Sequence, residues 1–253
     1  MENRKKNILV ALVIATIIII GLGIGLSGRQ PVKPKPKYTG LTAVPSQSEI
    51  CFDASNKSSY EKYVNEIEEF MILYNDVKFG GNIVDCGVTD RRDGQICGAL
   101  KSWLFPCGNP DWGYEKGQPC VVLSYANDPN YKPTPYQTLK EIPPWAPDSM
   151  RQYAEEELDD GGSFNPRRIR LFCTHVKTEN YRAQGFHKDF FPNSHFEGYM
   201  PPIAAVRFSF LDADGNIIPG EYNVECTLWS KEPPVDEVKK VSFKIKQGFC
   251  QQE

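Results

Sequence analysis

The chain has 253 residues, 40% of them apolar and 24% charged, and a net charge of −3. That is enough apolar material for one good-sized domain, and the slight acidity leaves no basic footprint for nucleic acid. Twenty prolines and 12% aromatic residues weight the composition toward strands, turns and loops.

A short polar tail (residues 1–7) leads into residues 8–26, ILVALVIATIIIIGLGIGL, whose only polar side chain is Thr16. As a helix rising ~1.5 Å per residue this run reaches ~28 Å, about one hydrocarbon core, and predicts a single transmembrane helix. Its length favours an uncleaved anchor. The alternative is a cleaved signal peptide, for which Gly25-Leu26-Ser27 offers a small-x-small site. Both readings send the rest of the chain into the same oxidising compartment. Flanking charge does not orient the span, because Arg4, Lys5 and Lys6 precede it while Arg29, Lys33, Lys35 and Lys37 follow it. Cysteine usage does. All eight cysteines lie beyond residue 50, and Asn56-Lys57-Ser58 is an N-glycosylation sequon, so a type II arrangement is expected.

Residues 27–39 form a stalk in which QPVKPKPKY (30–38) alternates Lys and Pro, an extended spacer of ~3.1 Å per residue. The outer domain is placed at 40–253. A helix is predicted over 59–77, with Tyr60, Tyr63, Val64, Ile67, Phe70, Met71 and Tyr74 on one stripe and Ser58 and Glu61 as a capping box.

The stretch CGALKSWLFPCGNPDWGYEKGQPC, from Cys97 to Cys120, holds three cysteines. Zinc would require paired short spacings, and the gaps here are too long. In an oxidising compartment these thiols are expected to close as disulfides, with Trp103, Leu104 and Phe105 covering apolar surface beside the stapled loop. From residue 121 the period changes to two. Tyr222, Val224, Cys226 and Leu228 alternate with polar residues, as do Val241, Phe243 and Ile245, while Cys173 shares a face with Ile169 and Leu171. These runs predict an all-β, mostly antiparallel, immunoglobulin-like sandwich with one packed helix and one wet face per strand, in which Cys173 and Cys226 can meet.

Catalysis finds little support. No nucleophile elbow, phosphate loop or dinucleotide fingerprint occurs, and His175, His187 and His195 are the only histidines. The acidic run EEELDD (155–160) reads as a solvated helix end or loop. DADGN (212–216) lacks the later residues of a calcium loop and reads as a turn. Neither a metal nor a cofactor is implied.

Taken in order, Asp85-Cys86-Gly87, Cys97, LKSWLFPC, Gly113-Tyr114, Gly117, Pro119-Cys120 and Val121-Val122-Leu123 resemble the cysteine-rich region of the β subunits of Na,K- and H,K-transporting ATPases. GLTAVP (40–45) with SYEKYVNEIEEF (59–70) is similar to that family's Gly-Leu-Thr block and first outer helix. DFFPNSHFEGYMPPIAAVRFSF (189–210) is similar to its Tyr-Tyr-Pro segment and the strand that follows. The resemblance implies bridges Cys86–Cys97, Cys107–Cys120 and Cys173–Cys226, and leaves Cys51 with Cys250 by elimination. It also implies a non-catalytic accessory subunit that holds, exports and tunes the α subunit of a P-type cation pump at the plasma membrane. Phe190-Phe191-Pro192 would stand in for the Tyr-Tyr-Pro that faces the pump, with Tyr199 and Pro202 leading into the next strand. The span departs from the family by lacking aromatics; Gly21 and Gly25 offer a close-packing Gly-x-x-x-Gly face instead. The alternative is a divergent relative acting in cell adhesion or as a secreted domain without a pump.

Overall fold

Alternation of apolar and polar residues resolves into two main sheets in the computed structural model. It describes residues 39–126, 131–156, 158, 165–174, 181–183, 185–191, 198–232 and 239–250. All of these belong to one compact unit, Lys35–Glu253. The tail, the span with Gly21 and Gly25, and the stalk up to residue 38 lie outside the described residues, as do Pro192, His175, His195 and part of the acidic run. Among the described residues no helix is long and apolar enough to cross a membrane.

In chain order the first strands are β1 (Gly40–Val44), β2 (Glu49–Phe52), β3 (Ile83–Val84), β4 (Ile96–Cys97) and β5 (Cys120–Ala126). Then follow β6 (Arg168–Thr174), β7 (Tyr181–Ala183), β8 (Phe186–His187), β9 (Ile203–Phe208), β10 (Gly220–Trp229) and β11 (Lys240–Gln247). One sheet runs β1-β5-β9-β7, a second β2-β11-β10-β6-β8, and β3 pairs with β4. Pairing is antiparallel except for β2 with β11 and β3 with β4. The chain is thus mostly β. Cys173 and Cys226 are register partners on the neighbouring strands β6 and β10, and their bridge closes within one sheet. Antibody domains place theirs between the two sheets.

Both sheets feed one buried cluster, with Val121, Leu123 and Val206 from the first and Ile50, Ile169, Leu171, Val224, Phe243 and Ile245 from the second. β5 is buried along its whole length, which is why CVVLSYA reads as a continuous apolar run with only Ser124 polar. Ser124 is satisfied by donating to the Pro202 carbonyl at 3.0 Å.

The expectation of one wet face per strand holds along the first half of β10 and fails beyond it. Thr227 and Trp229 are buried, as are Arg170 and Phe172 on β6. A second apolar cluster lies over that outer face, built from Tyr136, Ile142, Ala146, Met150 and Ala154 against Phe172 and Trp229. The Pro-rich segment thus covers the sheet, together with a helix at Asp148–Glu156.

The long helix, α1, spans Lys57–Asn75 and buries Tyr60, Tyr63, Ile67, Met71 and Tyr74. Five of the seven expected stripe residues point inward; Val64 and Phe70 pack at its margins. The cap differs from the expected Ser58 box. Asn56 is the N-cap, its side chain accepting from the Ser58 amide at 3.2 Å, as asparagine's short carbonyl favours. The next serine, Ser59, is engaged with Asp53. At the other end the Tyr74 hydroxyl donates to the Pro201 carbonyl at 3.1 Å.

Ile67 is fully buried whereas Ile72 is 66% exposed on the same helix. Ile67→Ala is therefore expected to remove about 2–5 kcal/mol of stability through transfer and cavity terms. Ile72→Ala should leave the melting temperature unchanged within error. Thermal unfolding of the two variants followed by circular dichroism checks the assignment of the packed face.

Candidate functional site

Among the described residues the one group of side chains with metal-ligand character is Cys86, His187 and Asp189. Cys86 is bonded to Cys97, so it has no thiolate to offer and the set is no metal centre. His187 accepts from the Asp189 amide through Nδ1 at 3.3 Å, and its Nε2 is buried without a partner among the described residues. Burial pushes the imidazole below its ordinary pKa. Asp189 opposes that shift, while Arg167, Lys188 and Arg168 add to it. His187 is thus a neutral structural side chain.

The prominent constellation is the stapled region. Its bridges are Cys86–Cys97 and Cys107–Cys120, and the chain also carries Cys173–Cys226 and Cys51–Cys250. All eight cysteines are paired. Trp103, Leu104 and Phe105, expected to cover apolar surface beside the loop, do so unequally. Lys101–Leu104 forms a single 3-10 turn, which sends Leu104 into the core and leaves Trp103 38% and Phe105 75% exposed. Successive residues of a three-per-turn helix point to different sides, and Phe105 follows the turn in non-helical backbone. Trp103 instead stacks on Phe79, centroids 6.1 Å apart.

Trp112 takes the interior place, fully buried with φ of 52°. Its indole N–H donates to Glu68 of α1 at 2.8 Å. Lys101 donates to both oxygens of the same carboxylate, at 2.6 and 2.9 Å, and its ammonium sits 5.1 Å from the Trp112 ring centre. Sequence reasoning passed over Glu68 and Trp112. The available signal was a carboxylate bordering the apolar stripe of α1 and a tryptophan placed just before a glycine.

The Gly-Tyr-x-x-Gly-x-Pro-Cys run has a direct physical account. Gly113 has φ of 80°, and a Cβ there would run into the Gln118 carbonyl oxygen. That approach lets the Gln118 amide donate to the Gly113 carbonyl at 2.9 Å and the Cys120 amide to Trp112 at 2.8 Å. Tyr114 then plugs the core, fully buried, with its ring 5.1 Å from Phe52, 5.6 Å from Tyr60 and 6.0 Å from Tyr63. Burial drives its phenol well above the ordinary pKa. Beyond the turn, Gly117 and Pro119 offer carbonyls to the Phe210 and Phe208 amides, locking the loop to the strand that follows the 189–202 segment.

The described residues of that segment are largely interior. Phe190 is 4% and Phe191 7% exposed, and Phe191 lies among Tyr125, Tyr131 and Phe186 at 5.5–6.3 Å. Pro202 is buried and engaged through its carbonyl, and Tyr199 is half-buried with its hydroxyl 3.5 Å from the Tyr125 carbonyl. Asn56 is exposed at the start of α1. DADGN is a turn in which Asp212 accepts from the Asp214 and Asn216 amides.

Two outcomes follow. Gly113→Ala forces a side chain into a left-handed position against a carbonyl and is expected to lose about 3 kcal/mol or more, read as a lower denaturation midpoint. For His187, the unfolded chain binds its proton first as pH falls through about 6.5, so the contribution to stability is present above that value and declines below it. Melting temperature should fall on acidification from about pH 7.5 to about 5.5, and His187→Gln should flatten part of that slope.

Residues 7–245 match the family model described as the sodium/potassium ATPase beta chain. The chain is 31% identical over 235 residues to the sodium/potassium-transporting ATPase subunit beta-1 of Tetronarce californica, covering 77% of this chain and 71% of that one. To subunit beta-2 of Drosophila melanogaster it is 26% identical over 209 residues, with 76% and 62% covered. To subunit beta-233 of Anguilla anguilla it is 23% identical over 229 residues, with 78% and 68% covered. The match begins before the apolar N-terminal run and passes through the stapled region to β11, and on that extent the chain belongs to the sodium/potassium ATPase β-chain family.

Proposed function

We propose that this chain is the non-catalytic accessory subunit of a P-type cation-transporting ATPase. It binds the catalytic α subunit, stabilises it, assists its export and modulates ion transport. The observation that carries the reading is the family match over residues 7–245, which takes in the apolar run as well as the outer domain. A protein whose work is to present surface uses its side chains for packing and staples, in keeping with the roles of Trp112, Tyr114 and the bridges.

In this proposal residues 1–7 are cytoplasmic, 8–26 cross the plasma membrane once in type II orientation, 27–39 are the stalk, and 40–253 are an extracellular immunoglobulin-like sandwich. Asn56 carries a glycan. Its exposure and its role as N-cap suit this, because the cap uses Oδ1 while the glycan is attached at Nδ2. Gly21 and Gly25 form the face of the span that packs on the partner. On the outer side, the burial of Phe190 and Phe191 makes them the support of the docking segment, and half-exposed Tyr199 is its outward anchor.

Co-purification of the full chain in mild detergent is expected to bring down a membrane-embedded P-type ATPase. Tyr199→Ala should reduce recovery of that partner while lowering the melting temperature by no more than a few degrees. Phe190→Ala with Phe191→Ala should lower the melting temperature by more than about 10 °C, since each buried ring is worth about 3–5 kcal/mol and each kcal/mol about 2–4 °C in a domain of this size. Recovery of no ATPase from cells that display the chain at their surface would overturn the pump reading in favour of an adhesive or secreted relative.

A further inference from the structure

The four disulfides differ sharply in their access to solvent. Cys86, Cys97, Cys107, Cys120, Cys173 and Cys226 are each no more than 3% exposed. Cys51 and Cys250 are half-buried. Their bridge joins the edge strand of the five-stranded sheet to the end of the described chain, across a sequence separation of 199.

The two sulfurs are also held differently. Cys51 sits within the four-residue parallel ladder of β2 on β11, and its amide donates to the Tyr63 hydroxyl at 3.1 Å. Ile50 and Phe52 on either side are fully buried, so the Cys51 side chain points to the outer face. Cys250 lies past the last bond of that ladder region, the Gly248 amide to the Phe52 carbonyl at 2.9 Å, and its neighbour Phe249 is 87% exposed. Lys246 is the register partner of Cys51 and shares its outward face. The other charged groups there are Lys244, Glu49 and Glu221, and Lys244 is engaged with both acids.

We propose that Cys51–Cys250 is a thiol-exchange site, the one bridge of the four that a low-molecular-weight thiol of the glutathione class opens in the folded protein. The incoming thiolate attacks Sγ of Cys250, the sulfur on the less constrained side. A bond forms between the two sulfurs, the Cys51–Cys250 bond breaks, and the electron pair leaves on Sγ of Cys51 as a thiolate on the face that Lys246, its register partner, shares. The product is a mixed disulfide on Cys250. A second thiol can resolve it, giving the oxidised small-molecule disulfide and two protein thiols, so two thiols are oxidised for each bridge reduced. The fold survives, because Ile50 and Phe52 keep β2 seated and the three buried bridges stay closed. The inference rests on the arrangement of the disulfides and not on the pump reading, so either can fail without the other.

The test uses the full-length protein in mild detergent under native conditions. It is exposed to graded reduced glutathione, quenched with N-ethylmaleimide, digested without reduction and analysed by mass spectrometry. Glutathione on Cys250 with maleimide on Cys51 is expected at thiol concentrations at least about tenfold below those that label any other cysteine. Circular dichroism at that point should retain the folded spectrum. Labelling of any of the six buried cysteines at the same or lower concentration would overturn the proposal. So would a Cys51–Cys250 bridge that opens only together with loss of the folded spectrum. Glutathione found on Cys51 with maleimide on Cys250 would overturn the assigned direction of attack.

Discussion

The ring of Tyr114 lies within 6.0 Å of Phe52, Tyr60 and Tyr63, centroid to centroid, so the stapled loop, the end of β2 and the first turns of α1 meet at one buried point. Its hydroxyl finds no partner among the described residues, a desolvation penalty of about 1–3 kcal/mol. Against this stand three ring contacts, each worth about 0.5–1.5 kcal/mol beyond the area buried. Packing wins, and it determines the chain on either side. Gly113 takes a conformation closed to other residues so that the ring can turn inward, and Gly117 and Pro119 hand the chain on to the strands. Tyr63 in turn accepts from the backbone of Cys51, which extends the same junction to the edge of the second sheet.

Glu68 makes the second attachment between loop and helix, and its value lies in direction more than in charge. The Lys101–Glu68 pair is roughly one-third exposed, so solvent screening limits its Coulomb energy to the range of surface pairs, up to about 1 kcal/mol. The bond from Trp112 is different. A buried indole N–H left unpaired would be penalised, and the carboxylate both satisfies it and fixes the ring's rotation. Lys101 then closes over the same indole face. One carboxylate thereby orients a tryptophan, a lysine and the 3-10 turn that presents Trp103 and Phe105 outward.

Elements governed by local periodicity were legible in the sequence. The α1 stripe and the alternating strands follow from spacing alone, since 3.6- and 2-residue periods map directly onto faces. What long-range packing decides was not. Thr227 alternates onto the face expected to be wet, yet it and Trp229 are buried, and the Pro-rich segment covers that end of the sheet. The parallel pairing of β2 with β11 joins segments almost at opposite ends of the domain, and no local signal announces it. The motif of two aromatics before proline suggested an anchor, yet both rings are buried, and Phe191 sits against Phe186 nearby in sequence and against Tyr125 and Tyr131 from a distant part of the chain. Trp103 and Trp112 illustrate the same limit within one loop. Both are tryptophans beside a cysteine staple, and only the carboxylate on α1 selects which of them is interior.

The covalent framework divides along the same line between interior and edge. The bridges of separation 11, 13 and 53 all nest inside the span of the fourth, whose separation is 199. Loop closure grows only logarithmically with length, so the outer bridge exceeds a 13-residue staple by about 2 kcal/mol in the chain-entropy model, and by less once the inner bridges have shortened its effective loop. Span alone therefore does not make it the dominant staple. The inner bridges act where hydrogen bonding and packing are already dense: Cys107–Cys120 beside the bond from the Cys120 amide to Trp112, and Cys173–Cys226 between register partners of a central strand pair. The outer bridge instead ties an edge strand of four residues, which would otherwise depend on Ile50, Phe52 and a short parallel ladder. The geometry of the aromatic interior is thus held by closed, buried bonds, while the more accessible bond governs only how firmly the two ends of the domain are fastened together.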